Sequence, residues 1–115
     1  MNRMSAEHLV LDLAVDDYTG LWEIVWGIEA SHPNADMLTA VELAKRAVRT
    51  LLEQGYIELY EGSGFNGDEH RVPQSDRHAV LATEAYWNPP LAADFAHVRV
   101  GATQAGEHAY ETGTV

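Results

Sequence analysis

The sequence contains no cysteine among its 115 residues. That absence excludes a disulfide framework, a thiolate zinc site and a cysteine nucleophile. Basic residues are also scarce: seven lysines and arginines stand against eighteen aspartates and glutamates, for a formal net charge of −11. A surface of this charge repels phosphate backbones and anionic lipid, and it favours basic partners. The lack of cysteine suits a reducing compartment, so we expect a cytoplasmic protein.

Long apolar runs are absent as well. No stretch approaches the roughly 20 apolar residues that a membrane-spanning helix requires. The first ten residues, MNRMSAEHLV, lack the charged and apolar regions expected of an export signal. Apolar residues still make up 46% of the sequence, which is enough to build a core. We therefore expect a single domain over residues 1–115, with flexible tails at 1–7 and 111–115.

The stretch over residues 35–54 has the clearest helical pattern. Its apolar residues recur at three- and four-residue steps, which places them along one face of a helix. They are Met37, Ala40, Val41, Ala44, Val48, Leu51 and Leu52. Asn34 can cap the helix start, and Gly55 follows its end, where glycine readily adopts the left-handed conformation. Residues 56–60 are rich in aromatic and aliphatic side chains, so we expect a strand there.

The other segments give weaker patterns. Leucine and valine alternate with other residues over 9–15, which predicts a strand, although leucine and alanine also favour a helix there. Trp22 and Trp26 recur at helical spacing, and we expect both in the core. The remaining expected elements are helices over 18–30, 76–86 and 104–110, a loop over 61–69 and a strand over 98–100, with Thr103 as the cap of the last helix.

Two segments resemble parts of a known family. AVRTLLEQGYIEL, at residues 47–59, resembles the end of the recognition helix, the glycine turn and the first wing strand of winged helix-turn-helix domains. VRVGATQAGE, at residues 98–107, is similar to the second wing strand and the start of a closing helix. The resemblance implies an α+β fold with about four helices and a small antiparallel sheet or wing. Residues 61–97 would then form an insertion between the wing strands.

The resemblance also implies sequence-specific DNA binding, in which the recognition helix enters the major groove. Its matching exposed positions here are Lys45, Arg46 and Arg49. An alternative reading is local ion pairing along the same helix. Glu42 lies three residues before Lys45 and four before Arg46, and Glu53 lies four residues after Arg49. Under this reading the three bases belong to an ordinary solvated helix face.

Tyr86 and Trp87 border a loop and a helix end, which makes them candidates for exposed interface residues. The six histidines are scattered without metal-ligand spacing, and no nucleophile–base arrangement is visible. We therefore expect no catalytic residue, no metal and no cofactor. The leading hypothesis is a non-enzymatic winged-helix-like module that acts through protein–protein interaction, with a basic partner or a second copy and no membrane association. The alternative is a DNA-binding transcriptional regulator that uses the helix over residues 35–54.

Overall fold

The computed structural model describes residues 5–63, 69–88 and 96–115. These residues form five α-helices and a four-stranded antiparallel sheet, so the expected α+β class is confirmed. The elements in chain order are α1 (Ala6–Asp16), β1 (Thr19–Gly20), α2 (Leu21–Ser31), α3 (Met37–Glu53), β2 (Ile57–Ser63), β3 (His70–Arg71), α4 (Arg77–Leu81), β4 (Ala96–Ala102) and α5 (Gln104–Glu111). Two 3-10 turns, Gln74–Asp76 and Glu84–Trp87, flank α4.

The strand order in the sheet is β1-β4-β2-β3. β2 and β4 pair over seven residues, from Ile57 opposite Ala102 to Ser63 opposite Ala96. The strands predicted over 56–60 and 98–100 are therefore confirmed, and both are longer than expected. Short β1 and β3 extend the sheet at its two edges. The two long strands bury alternate side chains against the helices, as a half-buried antiparallel sheet does: Ile57, Leu59, Val98 and Val100.

α1 occupies residues for which the alternating pattern over 9–15 predicts a strand. Ser5 caps this helix, because its hydroxyl accepts a hydrogen bond from the His8 backbone N–H at 3.1 Å. Leu9, Val10 and Leu11 are consecutive and all buried, because α1 packs against α2, α3, α5 and β4. A helix covered on several sides loses the one-sided apolar period that marks a surface helix. The strand prediction is wrong, and the helix alternative is correct.

α2 begins later than the helix predicted over 18–30. Thr19 and Gly20 leave the helical path and pair with β4, and the Glu23 carboxylate accepts from the Gly20 N–H at 3.1 Å. A Cβ on Gly20 would stand 2.5 Å from the Trp22 ring, so glycine permits this close approach.

Trp22 is half-buried, but Trp26 is 53% exposed. The expectation of a core position is wrong for Trp26, because its side of α2 faces solvent.

α3 is the long helix that the sequence predicts, with a start at Met37. Its cap is Asp36, not Asn34: the Asp36 carboxylate accepts from the Thr39 N–H at 2.8 Å, and this bond lowers the pKa of Asp36. Ala40, Val48 and the other buried residues of its inner face lie where the pattern places them. Met37, however, is 62% exposed. Its assignment to the core face is wrong because the first turn of α3 extends beyond the packed core.

The region between β2 and β4 is partly structured. β2 continues through Ser63 where a loop is predicted, and Arg71 of β3 pairs back with Tyr60. The helix expected over 76–86 is split into α4 and the turn Glu84–Trp87. Thr83 causes the break, since its backbone is extended and its hydroxyl donates to the Ala79 carbonyl at 2.9 Å. Residues 64–68 of the expected loop lie outside the described residues.

Thr103 caps α5, as the sequence predicts, and the helix begins at Gln104. The Thr103 hydroxyl accepts from the Gly106 N–H at 3.0 Å and donates to the Gly55 carbonyl at 2.7 Å. Beyond α5, the last residues contact the rest of the domain, and the flexible tail over 111–115 stays a prediction. The His8 Nδ1 atom lies 2.7 Å from the Val115 carbonyl oxygen, and the Thr114 N–H donates to the Ala109 carbonyl at 2.9 Å. The last residues thus fold back onto α1.

Gly106 provides a test of the contact between α5 and the turn that follows α3. A Cβ on Gly106 would overlap the Tyr56 carbonyl oxygen, which already accepts the Thr103 N–H at 2.9 Å. We expect Gly106→Ala to lower the free energy of unfolding by about 1–3 kcal/mol, since backbone cannot yield as a side chain does. Gln104→Ala, at an exposed position of the same helix, should change it by less than about 0.5 kcal/mol. Equal urea midpoints for the two variants would contradict the close contact.

Candidate functional site

The exposed side of α3 is the first candidate site, because it carries the bases singled out in the sequence. Residues spaced by three or four positions share one side of a helix, and those that face solvent here form a continuous stripe. We call this stripe the α3 face. It consists of Leu38, Thr39, Glu42, Arg46, Arg49 and Glu53, and the exposed Met37 lies beside it in the first turn. Leu38 is 78% exposed, more than any other large apolar side chain in the described part of the chain.

Lys45 does not belong to this face. Its side chain is only 17% exposed, and its Nζ atom lies 3.0 Å from Oε1 of Glu84. The same Nζ lies 5.9 Å above the centre of the Trp87 ring, within range of a cation–π contact. Lys45 is therefore engaged by the segment between β2 and β4. The expected pairing with Glu42 is absent, and Lys45 is turned away from any ligand on the α3 face.

Arg46 and Arg49 are exposed. Three ion pairs occur between described residues, and they engage Lys45, Arg71 and Arg99. Neither Arg46 nor Arg49 has a described carboxylate oxygen within 4.0 Å, so the local pairs predicted from the spacing of Glu42 and Glu53 do not form. Both guanidinium groups retain their hydrogen-bonding capacity for a partner. Two acids nevertheless flank them along the face, which keeps its formal charge balanced.

Tyr86 and Trp87 were expected to be exposed together. Trp87 is only 3% exposed, and its Nε1–H donates to the Leu81 carbonyl at 3.0 Å. The expectation of an exposed tryptophan is wrong, because the turn over Glu84–Trp87 packs against α2 and α4. Tyr86 is half-buried and donates to Oε2 of Glu61 at 2.9 Å. Burial and this bond both raise the pKa of Tyr86. Its possible role at an interface stays a prediction.

The outer face of the sheet carries a second group of aromatic side chains that the sequence pattern did not indicate. Tyr18 stacks on Tyr60 with ring centres 4.9 Å apart, and Trp22 contacts His97 edge-on at 6.2 Å. Gly101 makes the stack possible, since a Cβ there would lie 2.7 Å from the Tyr18 ring. The two tyrosines come from segments far apart in sequence. Only the register that places Tyr60 and Gly101 on the same side of adjacent strands could have revealed them.

The charges on this outer face are matched internally. Arg71 pairs with Glu58 at 3.4 Å, and Arg99 pairs with Glu69 at 3.3 Å. The Tyr60 hydroxyl donates to Oε2 of Glu58 at 3.1 Å. Burial, with smaller contributions from Glu58 and Tyr18, raises the pKa of Tyr60 to about 12. Because Arg71 and Arg99 are already paired with acids, this face offers fewer free charged donors than the α3 face, although the buried His97 Nε2, Glu69 Oε2 and Arg99 Nε atoms have no described hydrogen-bond partner.

Metal sites and membrane-spanning helices each have a recognisable geometry. Within residues 5–63, 69–88 and 96–115, no three histidine, aspartate or glutamate side chains are grouped so that they could hold a metal ion. Over the same ranges, no helix has the length and apolar character needed to cross a bilayer. No protein-family model, curated protein or solved structure matches this chain. The geometry of the site is therefore the basis for any functional proposal.

The Tyr60 hydroxyl gives a pH-dependent test of the outer sheet face. Its pKa of about 12 lies above the ordinary value of 10.0, so folding favours the neutral phenol. Its contribution to stability should be complete below about pH 10 and lost as pH rises towards about 12. Absorbance titration of the wild type minus Tyr60→Phe should show a midpoint near 12, provided that circular dichroism shows a folded chain. A midpoint near 10 would contradict the burial of this hydroxyl.

Proposed function

We propose that this chain is a winged-helix-like module that binds another protein through the α3 face. The order of its elements supports the first part. Three helices precede β2 and β4, short β1 joins the far edge of β4, and α5 follows. This order matches the arrangement that the segments at 47–59 and 98–107 imply by resemblance. In such an arrangement α3 takes the position of the recognition helix.

The composition of the α3 face supports a protein partner. At one end of the face Leu38 and the adjacent Met37 expose most of their side chains, and Arg46 and Arg49 follow along the face without local carboxylate partners. Methionine and arginine are enriched at protein interfaces, where apolar contact is combined with directed hydrogen bonds. This combination on one exposed helix face is the observation that carries the proposal. A complementary partner offers an apolar depression for Leu38 and carboxylates for the two arginines.

The net charge of this chain indicates what charge its partner should carry. Outside the neutral stretch over residues 37–60, the chain carries the whole of its net charge of −11. Opposite charge speeds the approach of two proteins and suppresses wrong pairings. The partner should therefore be basic around a contact area that accepts the α3 face. Two copies of this acidic chain would repel each other, which makes a second copy the weaker choice.

The DNA-binding alternative rests on one specific observation, the exposure of Arg46 and Arg49 on the helix that would enter the groove. Several features oppose it. Lys45 is held by Glu84, so the predicted set of three bases is reduced to two. Each phosphate that a protein neutralises adds about 0.9 to the slope of the logarithm of the binding constant against the logarithm of the salt concentration. Non-specific binders rely on several such phosphate contacts. Glu42 and Glu53 on the same face would also approach the phosphates.

Photo-crosslinking tests the protein-binding proposal directly. A photoreactive amino acid at position 38 of the intact chain, expressed in its native cell, should form an adduct with a defined protein. The same residue placed at position 107, which is exposed on α5, is the matched control and should not form that adduct. Leu38→Asp and Arg49→Glu should each weaken binding of the purified partner about ten-fold or more, as expected of central interface residues. Identical adducts at both positions would contradict an α3 interface.

A mobility-shift experiment tests the alternative. Mixed genomic duplex DNA at low salt should not be retarded by the wild-type chain at about 10 µM, which lies within the usual range for non-specific binders. Salt-sensitive retardation that Arg49→Glu weakens and Glu107→Ala does not would favour the DNA-binding function and reject the protein-binding proposal.

Sedimentation tests whether a second copy of the chain is the partner. Because two acidic copies would repel each other, the chain alone should give the mass of a monomer.

A further inference from the structure

A cleft lies between the second half of α3 and the segment that carries α4. Its volume is about 290 Å³, close to the lower limit for small-molecule sites, about 300 Å³. Leu52 and Leu81 are both buried and form an apolar floor. The polar residues around it are Arg49, Glu53, Gln74, Arg77 and His78. The segment between β2 and β4 thus does more than connect strands, because it closes one side of this cleft.

The arginines of the cleft distinguish it from the rest of this acidic chain. Lys45, Arg71 and Arg99 each have an acidic partner within 4.0 Å. Arg46, Arg49 and Arg77 have none among the described residues, although the chain has eighteen carboxylates. Of these three, Arg49 and Arg77 line the same cleft. Two unpaired arginines that line one concave surface of a strongly acidic protein indicate a site for an anion.

Arg77 carries a second, independent observation. Its Nε atom is buried and has no hydrogen-bond partner in the described structure. Buried polar groups are almost always hydrogen-bonded, and a bound water or ion is one explanation for an unsatisfied one. The Nε–H and a terminal N–H of a guanidinium point in nearly parallel directions, so they can hold both oxygens of a carboxylate or phosphate. Arg77 thus lines the cleft and has one donor that no described residue satisfies.

We propose that this cleft binds a small organic anion. Its carboxylate or phosphate group bonds to Arg77 and Arg49, and its apolar body lies against Leu52 and Leu81. Glu53 is the one carboxylate among the lining residues, so the two arginines leave the cleft with a net positive charge. The volume limits the ligand to a molecule of about the size of a substituted benzoate.

Arg49 also belongs to the α3 face, so a bound anion would compete with the protein partner for its guanidinium. The ligand would then act as a regulator of the proposed interaction. The binding site itself does not depend on the partner, because Arg77, Leu52 and Leu81 lie outside the α3 face. Ligand binding can therefore be tested on the purified chain alone, and its failure would leave the protein-binding proposal unaffected.

Nuclear magnetic resonance titration of the intact, isotope-labelled chain tests the site. The probes are benzoate and phenyl phosphate, with benzamide as the uncharged control at the same ionic strength. Either anion should saturably shift the Arg77 Nε–Hε signal and the amide signals of His78 and Leu81. Benzamide should not do so. The benzoate and phenyl phosphate arms decide whether the site prefers a carboxylate or a phosphate group. Absence of saturable shifts with both anions would overturn the proposal.

Matched variants separate the site from general charge effects. Arg77→Gln should weaken binding of the better anion about ten-fold or more, since it removes a charged, bidentate donor. Arg71→Gln makes the same change in charge on β3, outside the cleft, and should alter binding less than two-fold. Unchanged amide signals in β2 and β4 will show that each variant is folded. Equal weakening by the two variants would mean that the anions respond only to net charge, and would overturn the proposal.

Discussion

The seven-residue pairing of β2 with β4 is the constraint on which the rest of the structure depends. It joins segments separated by more than thirty residues and fixes their register, which places Leu59 opposite Val100 and Ile57 opposite Ala102. The same pairing brings α5 to the turn after α3, where Thr103 bonds to Gly55. Without it the intervening segment would have no fixed position beside α3. Both the α3–α4 cleft and the stacked tyrosines follow from this one long-range contact.

The few basic residues divide into those that form ion pairs within the domain and those that do not. In a chain with eighteen carboxylates, any arginine or lysine has many possible acidic partners. The partner that each one has in the structure shows which two segments it joins. Arg71 and Arg99 bridge the sheet to the segment after β2, and Lys45 joins α3 to the turn before β4. These three hold the long connection against the body of the domain. The arginines that remain on α3 and α4 are available for ligands.

Local rules predicted the elements whose signals are contained in a few residues. The α3 helix, the glycine at its end, the two long strands and the Thr103 cap all depend on neighbours in the sequence. Long-range packing determined what the sequence could not show. The residues of α1 are covered on several sides, so their apolar positions show no one-sided helical period. Lys45 bonds to Glu84, 39 positions away, instead of to Glu42. Trp87 is buried because a turn folds back on α2, a contact that no local pattern encodes.

The two shortest strands have a consequence for how this protein meets others. Each contributes only two residues, yet β1 covers part of the outer edge of β4 and β3 covers part of the outer edge of β2. Open strand edges are templates on which another chain can add a strand, either as a ligand or as the first step of aggregation. Interrupted edges deny such a chain a continuous ladder of hydrogen bonds. Recognition must then proceed through side chains, and the domain gains protection against edge-to-edge polymerisation at high concentration.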